Sequence, residues 1–113
     1  MSQMISRPAS PHEYGALILA AGKGTRMRSR KPKVLHSLLG EPLLGHVAAA
    51  LEPLFGGAVW AVVGHEADMV KAAFADRGLR FVDQAEQLGT GHALSVALPA
   101  LKAAGVRRVL VVN

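Results

Sequence analysis

Short apolar runs alternate along this chain with segments in which apolar residues recur every three or four positions. Runs of this kind, bounded by glycine or charged residues, are typical of strands buried on both faces of a parallel sheet. The predicted strands cover residues 15–20, 58–63, 79–82 and 106–112. The helical spacing predicts helices at residues 42–51, 66–76 and 92–104. The pattern as a whole predicts the order βαβαβαβ.

Each of the first two helices carries an apolar side that we expect to be buried. The expected buried positions are Leu43, Leu44, Val47 and Leu51 in the first helix and Met69, Val70, Ala73 and Phe74 in the second. Pro42 suits a first helical turn, and Pro53 should end the first helix, with Gly56 and Gly57 after it. We expect Pro99 to kink or shorten the third helix.

The segments between the predicted strands are long enough for parallel pairing through right-handed connections. The chain is therefore predicted to be an α/β domain with a Rossmann-like, doubly wound, mostly parallel sheet. We expect residues 1–13 to form a flexible leader and residues 14–113 to be the N-terminal part of a domain truncated after its fourth strand. Ligands of such sheets bind beyond the carboxyl ends of the strands. The loops at residues 21–32 and 83–91 both lie at that edge.

The first of these loops is rich in glycine and positive charge. Gly22 and Gly24 flank Lys23, so the backbone can turn sharply and a ligand can approach the main chain. Six of the thirteen Lys and Arg residues lie between Lys23 and Lys33, a segment without Asp or Glu. Loop N–H groups beside dense positive charge suit a polyphosphate. The loop is not a P-loop, which needs Ser or Thr after Gly-Lys, nor a dinucleotide fingerprint, which needs glycine in place of Met27.

Composition narrows the classes of function. The formal net charge of +5 favours nucleic-acid binding in general, but the charge is concentrated in one loop and aromatic residues are few. The absence of cysteine excludes a disulfide framework and a thiolate metal site. No apolar run is long enough to span a membrane, and residues 1–14 lack the apolar core of a signal peptide. We expect a cytoplasmic protein that binds neither nucleic acid nor membranes.

Two sequence blocks resemble one enzyme family. The first block reads Leu17-Ile-Leu-Ala-Ala-Gly-Lys-Gly-Thr-Arg26 and continues to Pro32-Lys-Val-Leu-His36. It resembles the nucleotide-sugar pyrophosphorylases, and in particular the uridylyltransferase domain of the bifunctional bacterial enzymes that make UDP-N-acetylglucosamine. The second block, Gln84-Ala-Glu-Gln-Leu-Gly-Thr-Gly-His-Ala93, resembles the second uridine-binding segment of the same enzymes. The resemblance covers nearly all of residues 15–113, but only the first part of that catalytic domain.

The resemblance implies a reaction and a set of site residues. The full protein would transfer UMP from UTP to N-acetylglucosamine 1-phosphate, giving UDP-N-acetylglucosamine and pyrophosphate. Arg26 and Lys33 would be catalytic, because they match an Arg that contacts the phosphates and a Lys that contacts the nucleotide. Fixed cations at those oxygens would stabilise the charge that builds in the transition state. The implied nucleotide-binding residues are Leu19, Ala20, Ala21, Gly22, Lys33, Gln84, Gly89 and Thr90.

Structural roles stay open beside these functional ones. Arg26 and Lys33 can be solvated loop cations, and Thr90 can be the N-cap of a helix that begins at His92. Gln84 matches a residue that hydrogen-bonds the base, for which an amide offers both a donor and an acceptor. We interpret four histidines as structural or surface residues, because their spacing matches no zinc signature. They are His36, His46, His65 and His92.

The resemblance also implies Mg²⁺ as cofactor, bound by an Asp just after the fourth strand and by an Asn much later. We expect both ligands beyond residue 113, with no metal ligand in this chain and Asn113 as a possible ligand contact. The chain alone is therefore expected to be inactive, and full-length family members to be homo-oligomeric. Two alternatives remain: a nucleotidyltransferase for another sugar phosphate or a cofactor precursor, and a non-catalytic module that binds anions or nucleic acid.

Overall fold

A computed structural model of the chain describes residues 13–21, 35, 37–38, 41–86 and 88–113. The helices and strands, in chain order, are β1 (Tyr14–Leu19), β2 (Ser37–Leu38), β3 (Glu41–Pro42), α1 (Leu43–Phe55), β4 (Val59–Val63), α2 (Ala67–Ala73), β5 (Arg80–Asp83), α3 (Thr90–Ala103) and β6 (Arg108–Val112). In the described part of the chain, no helix is both long and apolar enough to cross a membrane. The predicted leader lies outside these residues except for Glu13, whose carbonyl accepts hydrogen bonds from the N–H groups of Arg107 and Arg108.

Four parallel strands form the main sheet, in the order β5-β4-β1-β6. The chain moves outward from β1 to β4 and β5, and then returns through α3 to place β6 on the other side of β1. Winding in two directions from a central strand is the arrangement of doubly wound α/β folds. The predicted Rossmann-like parallel sheet is confirmed.

Helices cover both faces of the two central strands, β1 and β4. On one face, Ala16 and Ile18 of β1 pack in a cluster with Leu44 of α1 and with Val70 and Phe74, at and just after α2. On the other face, a second cluster joins alternate residues of the same strands to α3, and its buried members are Leu17, Ala21, Ala58, Trp60, Val62, Ala93, Ala97 and Leu101. Because both faces are covered, every residue of β4 is buried, as its unbroken apolar run predicts.

Both internal prolines were expected to disturb their helices, and neither ends one. α1 continues past Pro53 to Phe55, and α3 continues past Pro99 to Ala103. A proline removes one helical hydrogen bond, and packing of an apolar residue two positions later offsets this cost in each helix. Phe55 packs against the core, and Leu101 is buried two residues after Pro99. The expected end at Pro53 was therefore wrong, whereas Gly56, which was also expected to end the helix, is its C-cap.

Smaller corrections concern the hairpin and α2. The sequence did not predict the two-residue strands β2 and β3, which pair in antiparallel fashion, so Pro42 pairs with Ser37 and the helix begins one residue later. α2 ends at Ala73 rather than residue 76, and Met69 and Ala73 are exposed instead of buried. A helix of seven residues has only a narrow inner side, to which Val70 is the buried contributor.

Candidate functional site

The carboxyl edge of the sheet carries the described parts of both candidate loops. The N–H of Ala20 donates to the Val62 carbonyl at 2.9 Å, and the N–H of Gln84 donates to the Val63 carbonyl at 2.8 Å. Both loops therefore leave from opposite sides of the same end of β4. Two strand spacings separate them, which is about 10 Å. The geometry agrees with the sequence prediction that the segments after the first and third strands share one edge.

Leu19 is the last residue of β1, and Ala20 and Ala21, which follow it, are buried. Ala20 packs in the cluster under α1 and α2, while Ala21 packs in the cluster under α3. The Ala21 carbonyl accepts a hydrogen bond from the N–H of His65 at 3.4 Å. Since both alanine side chains point into the interior, a ligand at this edge would meet the main chain of these residues.

Gln84 follows β5 and is buried, with only 3% of its surface exposed. Among the described residues it is the one polar or charged side chain in the buried class. Its Nε2 lies 2.8 Å from Nδ1 of His92 and 3.5 Å from the Gly89 carbonyl oxygen. A buried amide is costly unless it is hydrogen-bonded, so these contacts hold the side chain in place against α3.

Gly89 and Thr90 begin the third helix at this edge. Gly89 is its N-cap, with φ 103° and ψ 177°, a conformation that is open almost only to glycine. The prediction that Thr90 caps a helix starting at His92 was wrong, because Thr90 is itself the first helical residue and no side chain caps the helix. The first N–H groups of α3 thus face the edge with their partial positive charge, which favours an anionic ligand nearby.

The predicted catalytic cations lie outside the described residues, as does Gly22. The proximity of Arg26 and Lys33 to Gln84 therefore stays a prediction. Within residues 41–86 and 88–113 and the shorter described stretches, no three His, Asp or Glu side chains lie close enough together to hold a metal ion. Asp83, one of the few carboxylates in the second loop, forms an ion pair with Lys71 at 2.8 Å.

His92 is the residue of this edge that sequence reasoning set aside. It lies in the first turn of α3, and its ring meets the amide of Gln84. Two signals could have identified it. First, side chains alternate between the two faces of a strand, so Gln84 lies on the same face as Val82, which packs under α3. Second, His92 lies at the start of α3, the helix that covers this face.

Comparison with known proteins shows which protein family the chain matches. Residues 16–113 match the family described as MobA-like NTP transferase domain. The chain is 68% identical over 99 residues to a protein of Nitratidesulfovibrio vulgaris (strain DSM 19637 / Miyazaki F) named bifunctional protein GlmU. That match covers 88% of this chain and 22% of the relative. The chain thus spans about a fifth of the length of this curated relative.

Two solved structures share the fold. The crystal structure of mannose-1-phosphate geranyltransferase from Thermus thermophilus matches with a TM-score of 0.75 and 27% identity, over 88% of this chain and 31% of that one. The structure of HddC from Yersinia pseudotuberculosis complexed with GMP-PN matches with a TM-score of 0.67 and 28% identity, over 77% of this chain and 42% of that one.

Proposed function

The chain belongs to the MobA-like NTP transferase domain family and is part of a nucleotidyltransferase, and from this premise we propose that its nucleotide is UTP. In the proposed reaction the complete enzyme transfers UMP from UTP to N-acetylglucosamine 1-phosphate. The products are UDP-N-acetylglucosamine and pyrophosphate. Since the chain spans 22% of a relative with 68% identity, we further propose that residues beyond it are needed for turnover.

One observation carries the proposal: a buried, hydrogen-bonded amide lies beside the end of β4, the neighbour of β1, at the carboxyl edge of a parallel sheet. Gln84 can offer an oriented hydrogen bond to a base, while the main chain around Ala21 lies about two strand spacings away. Nucleotides bind at this edge in doubly wound folds. The N-terminus of α3 adds a partial positive charge to the same place.

The proposed reaction requires that the protein position the substrates and supply positive charge, and it requires no general acid or base. A phosphate oxygen of the sugar phosphate attacks the α-phosphorus of UTP, a new P–O bond forms, and the bond from the α-phosphorus to the leaving pyrophosphate breaks. The attacking phosphate is already ionised and needs no base. Arg26 and Lys33 are proposed to hold the phosphate oxygens, where fixed positive charge stabilises the transition state more than the ground state. An Arg can bind two oxygens at once.

Mg²⁺ is part of the proposal for the complete enzyme, where it would neutralise charge on the phosphates. The described residues do not fit such a site, because they contain no cluster of three His, Asp or Glu side chains. No step is therefore assigned to a metal held by this chain.

The proposed substrates are metabolites of the cytoplasm, which is where we propose the enzyme acts. A homo-oligomer is proposed from the resemblance alone, and light scattering of the complete enzyme tests it.

Calorimetric titration of the 113-residue chain with UTP tests the proposed ligand. We expect saturable binding of UTP that persists at moderate salt. A DNA oligomer of equal charge serves as the comparison. Tight DNA binding that weakens steeply with salt, without any UTP binding, would instead identify a nucleic-acid module.

Arg26→Ala tests the catalytic assignment, with Arg30→Ala as a matched control that removes the same charge from the same segment. Turnover is measured as pyrophosphate release in a chimera, in which this chain replaces the matched segment of the Nitratidesulfovibrio vulgaris relative. We expect Arg26→Ala to lower kcat by about 100-fold or more, as for other groups that stabilise transition-state charge. Arg30→Ala should change it by less than about threefold, because a cation that does not contact the phosphates acts only through a screened, long-range field. Equal effects of the two substitutions would remove Arg26 from the mechanism.

A further inference from the structure

The amide of Gln84 has a defined orientation. Its Nε2 lies 3.5 Å from the carbonyl oxygen of Gly89, and a carbonyl oxygen can only accept a hydrogen bond. An amide turned the other way would set two oxygens against each other. The contact is long and weak, and it favours the orientation in which the NH₂ group of Gln84 faces the start of α3.

This orientation fixes the proton on His92. Nδ1 of His92 lies 2.8 Å from Nε2 of Gln84, which can donate but not accept. In this orientation Nδ1 is the acceptor, which corresponds to the tautomer with the proton on Nε2. The two N–H bonds of the Gln84 amide are then directed to His92 and Gly89, and its carbonyl oxygen is left as the group that can turn to a ligand.

We propose that His92 is a positioning residue: through Nδ1 it holds the Gln84 amide with the carbonyl oxygen toward the nucleobase site, and so selects bases that present an N–H. This inference rests on the proposed function, in which Gln84 contacts the base. Uracil presents an N–H at ring position 3, whereas cytosine has an unprotonated nitrogen there. An oxygen held at this point bonds the first and repels the second.

The contact with His92 also prevents the Gln84 amide from rotating, and the choice between bases depends on this. A free glutamine amide can rotate by half a turn and present either an acceptor or a donor, so it accepts both kinds of base. With His92 in place, the rotation would leave a buried N–H without a partner and would face the Oε1 lone pairs with those of Nδ1. Gln84 is 3% exposed, so water cannot easily replace the lost partner. Selection between bases is thus achieved by holding one rotamer.

The ring nitrogens of His92 give a test that needs no ligand. The ¹⁵N shifts of the imidazole distinguish the two neutral tautomers, and we expect the Nε2–H form. The Gln84 side-chain NH₂ should give two sharp resonances that exchange slowly with water, and this protection should be lost in His92→Phe. A ring with its proton on Nδ1 at neutral pH would overturn the proposal, as would unchanged protection in His92→Phe.

Three substitutions separate positioning from packing. In His92→Asn the side-chain oxygen is attached to Cγ, at the place of Nδ1, and can accept the same hydrogen bond. In His92→Gln the oxygen lies one bond farther out, at the place of Nε2, and His92→Phe keeps the ring without any acceptor. Circular dichroism and thermal unfolding of each variant show whether it folds. His92→Asn should keep the amide protection, and the other two should lose it.

Calorimetric titration with UTP and CTP measures the consequence for selection. We expect the wild-type chain to prefer UTP by about tenfold or more, the usual effect of one unmatched buried hydrogen bond. The preference should persist in His92→Asn and fall toward one in His92→Phe and His92→Gln. An unchanged preference in all three variants would overturn the proposal. A wild-type chain that binds neither nucleotide would refute the proposed function instead, while the tautomer and amide measurements still decide whether His92 positions Gln84.

Discussion

Gln84→Leu should separate stability from ligand binding. The substitution removes the amide from a side chain that is 3% exposed and puts an apolar group of similar volume in its place. If the Gln84 amide only stabilises the fold, the substitution should lower the free energy of unfolding. If the amide binds a ligand, the free energy of unfolding should change little and the affinity for the ligand should fall.

The expected change in unfolding free energy follows from three contributions. Loss of the contact to His92 at 2.8 Å costs about 1 kcal/mol, and the contact to Gly89 at 3.5 Å contributes less. Water can reach both abandoned acceptors, because Gly89 is exposed and His92 is half-buried. Burial of apolar atoms in place of an amide, with less side-chain entropy to lose, returns about 1 to 2 kcal/mol. The net change should lie within about 1 kcal/mol of zero.

Urea unfolding followed by fluorescence measures this change well, because the chain has a single tryptophan, Trp60, and it is 3% exposed in the fold. UTP affinity is measured on the same samples by calorimetry and should fall about tenfold or more. Val82→Ala is the matched control on the same side of β5, where Val82 packs under α3. It should lower the unfolding free energy by about 1 kcal/mol and leave the affinity for UTP unchanged.

Two results would refute the reasoning. A loss of more than about 3 kcal/mol in Gln84→Leu would show that the amide holds the fold together, as breaking a buried polar network does. Unchanged UTP affinity in a folded Gln84→Leu chain would show that the amide does not contact the base.

Two further substitutions test the fold that positions the site. Gly15→Val should lower the unfolding free energy by about 1 to 3 kcal/mol, because a Cβ at Gly15 would lie 3.1 Å from Cγ2 of Val106 and 3.2 Å from Cζ3 of Trp60; Gly57→Val, with nothing within 4 Å of the added Cβ, is the control in urea unfolding. Glu66→Asn should raise the thermal midpoint, with a gain of about 0.5 to 1 kcal/mol, because Glu66 occupies the left-handed region at φ 54°, which asparagine adopts at a lower cost; a lower midpoint would contradict this.

Local sequence predicted the two central strands because burial on both faces requires a continuous apolar run. The continuous apolar run that became β4 needs no information from distant residues, and the same is true of β1. The ends of the helices were harder to predict from local sequence. Pro53 and Pro99 carry a strong local signal to stop, but packing of Phe55 and Leu101 against residues far along the chain outweighs it. Such a balance is set by tertiary contacts that local sequence does not contain.

The candidate site shows the same division. The resemblance pointed to Gln84, Gly89 and Thr90, and loop placement followed from the order of the strands. The orientation of the Gln84 amide did not, because it depends on a nitrogen of His92 eight residues later and on the carbonyl of Gly89. The helix start at Thr90 was also missed, since it is set by the backbone of Gly89 at φ 103° rather than by a capping side chain.

The central place of β1 has a consequence for synthesis on the ribosome. β1 is made before both of its partners, which are β4 on one side and β6 on the other, with Tyr14 paired to Arg108. At about 5 to 20 residues per second, the nascent chain carries an apolar, half-paired strand for about 5 to 20 seconds before β6 is made. Contacts this distant in sequence also close slowly. Chaperones that shield exposed apolar segments during translation should therefore raise the soluble yield, most of all when elongation is slow.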